Sequence, residues 1–302
     1  MSRSILRLGA ALTLAAFTLP AAPASADTLF AAAPGARNLA AGGGGYAWAA
    51  PAPNGRWRLT VRNPATRVVS VPDIPDFGAP PDPAIGSDVV GSDLSQRRLV
   101  VAYSRCSGSS SISGCDVWAY DVVAGTESRV GALSTSAYSE TAPSVYLGTW
   151  SFVRRGGGAR TGVTVYSRRS RATRRLTSTL ARETSVTGSG SRVAYTYNSS
   201  RGGGVALRRA SGDGGVVTLT SRRDDIPHSV TTTRYRAAWL EDTTAWQTTR
   251  FGSGEPDDVE LMEQRRALPP SVDSIATDGS VVSSYLDERG VVTIAPALFG
   301  TG

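Results

Sequence analysis

The sequence predicts an all-β fold, a six-bladed β-propeller of four-stranded antiparallel blades. Three observations predict it. Residues 181–221 read as four short β segments, ETSVT, SRVAYTY, GVALRRA and VVTLT, separated by Gly and Ser clusters, which is the punctuation of successive hairpins. This unit of 41 residues is preceded by another on the same plan, from ETAPSVYLGTWSFVRR to RATRRLTS. Repetition of a four-stranded unit at about 40–45 residues marks propeller blades. Finally, one aromatic recurs in the second strand of each unit, at Trp48, Tyr103, Phe152, Tyr195, Trp239 and Tyr285, with gaps of 55, 49, 43, 44 and 46. Six such positions imply six blades, and an aromatic at one repeated place is expected to pack between neighbouring blades.

The first 26 residues stand apart. Arg3 and Arg7 precede an apolar run, LGAALTLAAFTLP, and Ala24-Ser25-Ala26 offers small residues for cleavage before Asp27. The run is too short to span a bilayer, so the segment reads as a signal peptide, with residues 27–302 as one exported domain in the medium or a periplasm. No later stretch is apolar for long enough to cross a membrane. About 276 residues would strain a single ordinary core, but each blade of a repeat adds its own layer.

Export makes a disulfide permissible for Cys106 and Cys115, the only cysteines, which flank a Ser/Gly loop. A bridge there would close one hairpin and stabilise it by about 2 kcal/mol. The formal charge is +7, or +5 without the two leader arginines, and no lysine occurs. Arginine can fork onto phosphate or carboxylate, yet these arginines are spread along the sequence, and no nucleic-acid partner is expected.

Taken in order, Thr28–Ala32 is a strand that would close the ring by joining the last blade. Blades are expected near 38–71, 86–133, 140–178, 181–221, 226–267 and 271–300, the last one strand short. The proline-rich stretch VPDIPDFGAPPDPAIGSD (71–88) reads as a long, extended surface connection.

The units at 140–155 with 171–178, and ATDGSVVSSYL at 276–286, resemble the repeats of TolB-like six-bladed propellers, a group related to WD-repeat-like propellers. Those repeats open on a polar-Pro-x-β start, turn at Asp-Gly, and close on an Arg-Leu-Thr strand. Here the turn is kept at Asp278-Gly279 and replaced by GSGS in the fourth unit. The resemblance implies the fold; the Tol–Pal role of TolB itself is not carried over.

Catalytic patterns are missing. There is no G-x-S-x-G and no H-E-x-x-H, and His228 is the only histidine. Counting back from each aromatic instead suggests a polar ring at one mouth of the central channel. Glu140, Glu183 and Asp273 each lie 12 positions before theirs, with His228, Asn38 and Asp88 at 11, 10 and 15. Such a ring could hold Ca²⁺ or a cationic ligand. In the fifth unit EDTTAWQTTRFGSGEPDD reads as a long loop on the same face, with Trp246, Arg250 and Phe251 as contact residues. The sequence therefore reads as an exported, monomeric, non-enzymatic binding propeller for a small ligand or a protein. The alternative is a hydrolase or lyase acting on an extracellular polymer through channel carboxylates.

Overall fold

The computed structural model describes residues 28–295, apart from 33, 92, 108–113, 157–161, 178–181, 200–201, 223–226, 233–236, 242–243, 248–263, 269–271, 279–281 and 288. The expected leader lies outside the described residues. Every regular element among those described is a β-strand. β1 is Thr28–Ala32. Blade 1 holds β2 (Arg37–Gly42), β3 (Gly45–Pro51), β4 (Trp57–Arg62) and β5 (Val69–Ser70). Blade 2 holds β6 (Ala84–Val90), β7 (Asp93–Cys106), β8 (Cys115–Asp121) and β9 (Thr126–Arg129). Blade 3 holds β10 (Ser139–Tyr146), β11 (Thr149–Arg155), β12 (Gly162–Ser167) and β13 (Ala172–Arg175). Blade 4 holds β14 (Arg182–Ser189), β15 (Arg192–Ser199), β16 (Gly202–Arg209) and β17 (Val217–Arg222). Blade 5 holds β18 (Ser229–Thr232), β19 (Ala237–Glu241), β20 (Thr244–Gln247) and β21 (Gln264–Ala267). Blade 6 holds β22 (Val272–Asp278), β23 (Val282–Asp287) and β24 (Val291–Ala295), with β1 antiparallel to β24 and Thr28 opposite Ile294. Five of the sheets are four-stranded meanders, β22 to β24 form a three-stranded meander with β1 beside it, and the six sheets form the expected six-bladed propeller.

The core is divided among the seams between blades. Tyr103 packs with Leu59, Val61 and Ile85 between blades 1 and 2. Phe152 meets Val100, Val117 and Leu133 one seam on. Tyr195 lies with Val153, Val163 and Leu176, and Trp239 with Val205, Leu207 and Leu219. Tyr285 leans on Leu240 and Leu268. Trp48 packs on Leu286 and Val292 of the last blade. The repeated aromatic of each blade thus fills the seam to the blade before it. A large side chain in the middle of the second strand is buried on both sides, which is why the spacing is readable in sequence.

Near the axis the inner strands come very close. A Cβ added to Gly86 would lie 2.0 Å from the Val145 carbonyl oxygen, and one on Gly42 2.2 Å from that of Ile85. Backbone meets backbone there, so only glycine fits.

Two expectations about connections change. The proline-rich stretch is not a loose surface strap. Trp57 and Phe77 exchange both backbone hydrogen bonds, at 2.8 and 3.0 Å. Phe77, Pro81 and Pro83 are buried. Arg105 stacks over the Phe77 ring at 4.4 Å and donates to the Pro75 carbonyl. The Asn54 amide donates to Asp76 at 2.7 Å and, with Arg58, holds that carboxyl below the usual range. Prolines fix φ and remove donors, so the segment folds back onto blades 1 and 2 without a strand ladder.

The second change concerns blade 5. Trp246 lies within β20, half-buried against Leu219 and Trp239; it is not a loop residue. β20 and β21 are third and fourth strands, and Gln247 pairs with Gln264 at the end away from His228. The segment between them therefore leaves from the opposite face to the one expected. Arg250 and Phe251 lie outside the described residues.

Cys106 and Cys115 face each other in the β7–β8 ladder and are joined by a disulfide. No helix among the described residues is long and apolar enough to cross a membrane.

Candidate channel-mouth site

The inner strands of all six blades line a channel of about 450 Å³. At one mouth the wall is made by residues at or just before the start of these strands: Asn38, Asp82, Ala142, Thr184, His228 and Asp273. A groove of about 400 Å³ opens beside it, walled by the 75–82 segment, Arg56, Arg105 and Arg155. Asp82, Ala142 and Thr184 belong to both cavities. Asp82 therefore stands where channel and groove join.

The backbone at this mouth is irregular in a repeated way. The inner strands of blades 1, 3, 4 and 6 each slip register near their first residues, between 37 and 40, 141 and 144, 183 and 185, and 272 and 274. Bulges of this kind re-aim side chains. In blade 1 the slip puts Asn38 at φ 57°, a left-handed conformation that asparagine tolerates better than most residues. Its N–H then donates to Asp273 Oδ2 at 2.7 Å, and its side-chain amide to the Pro81 carbonyl at 2.9 Å. Asn38 thus ties blade 6 and the proline-rich segment to blade 1, next to Asp82.

Asp82 reaches the water of the mouth but is ringed by protein. That crowding, and then the negative charge of Asp273, push its pKa up to about 6. The carboxyl exchanges its proton near neutral pH, and deprotonation leaves a mouth with two close negative charges.

Three of the six expected ring residues line the channel: Asn38, His228 and Asp273. The other three are built into the blades. Glu140 is fully buried and accepts from Arg154 at 3.1 Å and from the Thr135 hydroxyl at 3.1 Å. Burial raises its pKa in spite of these partners. Glu183 is buried and accepts from the Thr177 hydroxyl at 2.6 Å. Both carboxylates clip the incoming Leu-Ser-Thr or Leu-Thr connection to the inner strand. Asp88 lies at the far end of β6, held bidentately by Arg168 at 2.7 and 2.8 Å, by Arg98 at 2.9 Å and by the Trp150 indole at 3.1 Å.

The reason is register. Val186 faces Tyr195, Val230 faces Trp239 and Ile275 faces Tyr285. Two places before each lie Thr184, His228 and Asp273, so Asp273 matches Thr184 rather than Glu183. The first hairpin of blade 6 is one residue longer than that of blade 4, and a single-residue slip moves a side chain to the other face. Blade 2 departs further: Val89 faces Arg97, and the hairpin continues beyond them to Val90 and Asp93, which displaces the count to Asp88. The residue that does stand at the mouth of blade 2, Asp82, was hidden in the proline-rich run.

Among the described residues no three of His, Cys, Asp and Glu come together as metal ligands. Ca²⁺ takes about six to eight oxygens, and the mouth offers two carboxylates with one imidazole nearby.

No protein-family model matches the chain, and no curated protein matches it by sequence. Solved structures do match in fold. The chain is similar to one in a nidogen/laminin complex, at 12% identity and a TM-score of 0.55 over 86% of this chain and 89% of that one. It is also similar to a protein of unknown function from Bacteroides thetaiotaomicron, at 11% identity and a TM-score of 0.52 over 89% and 72%. TolB from Acinetobacter baumannii matches at 14% identity and a TM-score of 0.46, over 86% of this chain and 54% of that one. At such identities the first two likenesses are ones of fold alone.

Proposed function

We propose that this protein is an exported, non-enzymatic binding propeller whose channel-mouth face takes a cationic ligand, either a free organic amine or the cationic side chain of a protein partner. The observation that carries the reading is the junction of channel and groove at Asp82, with Asp273 close enough to raise its pKa. Two neighbouring carboxylates in a low-dielectric recess focus negative potential. Asn38 holds Asp273 in place, and the groove leads away from the pair along blades 1 to 4. Export is supported by the leader pattern of residues 1–26 and by the Cys106–Cys115 disulfide.

The test is a thermal-shift titration with spermidine, an arginine-rich peptide and Ca²⁺. Binding to the native state raises Tm by mass action. Spermidine or the peptide should raise it at pH 7.5, and Asp82→Asn with Asp273→Asn should abolish the shift. A shift from Ca²⁺ alone, or one that survives both substitutions, would sink the reading.

The second reading is a polymer hydrolase or lyase. It now falls on Asp82 and Asp273, since Glu140 and Glu183 lie in the blades, and a carboxyl with a raised pKa beside a second carboxylate is a candidate general acid. Reducing-end release from a polysaccharide panel, lost in Asp82→Asn, would favour it.

A further inference from the structure

The charge of this protein is distributed very unevenly in space. Residues 139–222, which are blades 3 and 4, hold fourteen arginines against three carboxylates, a net charge of +11. The rest of the chain holds eighteen arginines against 22 carboxylates, or −4. Two of the three acids in these blades, Glu140 and Glu183, are buried. The third, Asp213, is exposed and meets Arg174 at 3.5 Å.

Several of these arginines have structural work. Arg154 pairs with Glu140, Arg155 donates to the Glu183 carbonyl, Arg168 grips Asp88, and Arg208 donates to the Leu176 and Gly212 carbonyls. Others do not. Arg169, Arg171 and Arg175 are exposed on the β12–β13 hairpin and form no ion pair with any described residue, and Arg174 has only its weak contact to Asp213. Arg192 and Arg209 face each other across the β15–β16 ladder of the next blade, and burial and then the charge of Arg209 lower the Arg192 pKa.

The hairpin turn has counterparts in two other blades. Arg171 sits at φ 52° just before β13. The same turn in blade 2 has Gly125 there, at φ 68°, and in blade 1 it has Arg67, at φ 58°. Glycine adopts this conformation without steric cost, and arginine does not. Arg67 shares this strain, so the strain does not mark a site; it makes Arg171→Gly a substitution that removes the charge and relieves the backbone together.

We propose that the β12–β13 hairpin and the adjoining edge of blade 4 form a docking surface for a linear acidic polysaccharide. Guanidinium groups fork onto carboxylates and sulfates, and Arg169, Arg171, Arg174 and Arg175, exposed together on one hairpin, offer several such contacts to a polymer that carries many anions. No aromatic side chain among the described residues of blades 3 and 4 is fully exposed, so bases have no platform on which to stack. Val216 is the one exposed large apolar side chain among the described residues there, which is too little for insertion into a lipid surface. This surface is separate from the channel mouth and stands or falls apart from it.

The test is calorimetric titration of the purified protein with oligogalacturonate, beside duplex DNA and phosphatidylglycerol vesicles as comparators. Oligogalacturonate should bind, and at least about tenfold more weakly at 200 mM than at 50 mM salt, as ionic contacts are screened. Arg171→Gly and Arg175→Gln should each weaken binding several-fold. Arg171→Gly should at the same time raise Tm, so lost binding cannot be blamed on misfolding. Arg67→Gly removes the same charge from the same turn in blade 1; it should raise Tm and leave binding unchanged. Equal losses in Arg67→Gly and Arg171→Gly would reduce the effect to overall charge and overturn the proposal. Failure to bind oligogalacturonate, or tighter binding of DNA or vesicles, would overturn it equally.

Discussion

Asn38 donates its backbone N–H to Asp273 Oδ2 at 2.7 Å, across the seam between the first and last blades. The bond depends on the left-handed backbone of Asn38, and the same residue's amide reaches the Pro81 carbonyl. One asparagine therefore sets the position of one mouth carboxylate and steadies the segment that carries the other.

Replacing Asn38 separates these effects. Asn38→Ala loses the amide bond to Pro81 and leaves a β-carbon in the left-handed region, at a cost of about 2–3 kcal/mol. Asn38→Gly relieves the backbone and loses only the amide bond, about 1 kcal/mol. Urea denaturation of the two variants should rank them in that order. Equal destabilisation would mean that the backbone conformation carries no strain.

The pH dependence of stability has a predicted sign. Asp82 has a folded-state pKa of about 6, above its value in the unfolded chain. The folded state therefore holds that proton more tightly, so stability falls as pH rises from about 4 through 6, and the full penalty is present above 6. Asp82→Asn should raise Tm at pH 7.5 and have little effect at pH 4. Asp273 and His228 share the mouth, so His228→Gln serves as the control for any slope left near pH 6. A variant whose gain is the same at both pH values would show that Asp82 titrates normally.

The blades were legible in the sequence because each is a local event. Turn glycines, β-branched runs and one buried aromatic recur within about 45 residues, and the seams are filled by those same aromatics. The site was half legible. Asn38, His228 and Asp273 were reachable by counting from the aromatics because their hairpins share or nearly share one length. Glu183 was misplaced by a single residue of register, which strand alternation turned into the wrong face, and Glu140 by two, because the irregularity between Thr141 and Ser144 brings Ala142 to the mouth instead. Asp82 carried no signal of its own, since a proline-rich run has no periodicity from which to count. The excess of arginine in residues 139–222 is present in the sequence, but which of those side chains are exposed and which are tied into the blades is set by register and ion pairing, and only the fold shows it.

Glu140 and Arg154 form a buried pair, at 3.1 Å, whose second partner is Thr135. Arg154→Met leaves the carboxylate desolvated without its cation, which costs about 3–5 kcal/mol. Glu140→Gln keeps one oxygen as acceptor for Arg154 and the Thr135 hydroxyl, loses the weaker bond from the Thr135 N–H at 3.3 Å, and should cost less. Neither residue lines the channel, so both variants should bind a channel ligand as the parent does at a temperature where they remain folded. Weakened binding in folded Glu140→Gln would return this carboxylate to the site.

The N-terminal strand offers the last test. β1 lies along β24, with Thr28, Leu29 and Phe30 opposite Ile294, Thr293 and Val292. If the ring is closed this way, removing the strand would expose the β24 edge to pairing with other molecules. A protein beginning at residue 34 should lose several ladder hydrogen bonds, each worth about 1 kcal/mol. Its Tm should fall and its aggregation should rise with concentration. Adding the peptide TLFAA in excess should restore part of the lost Tm, because the strand would then bind its vacated edge. An unchanged Tm in the shortened protein would mean that blade 6 is complete with three strands and that the ring holds without the N-terminus.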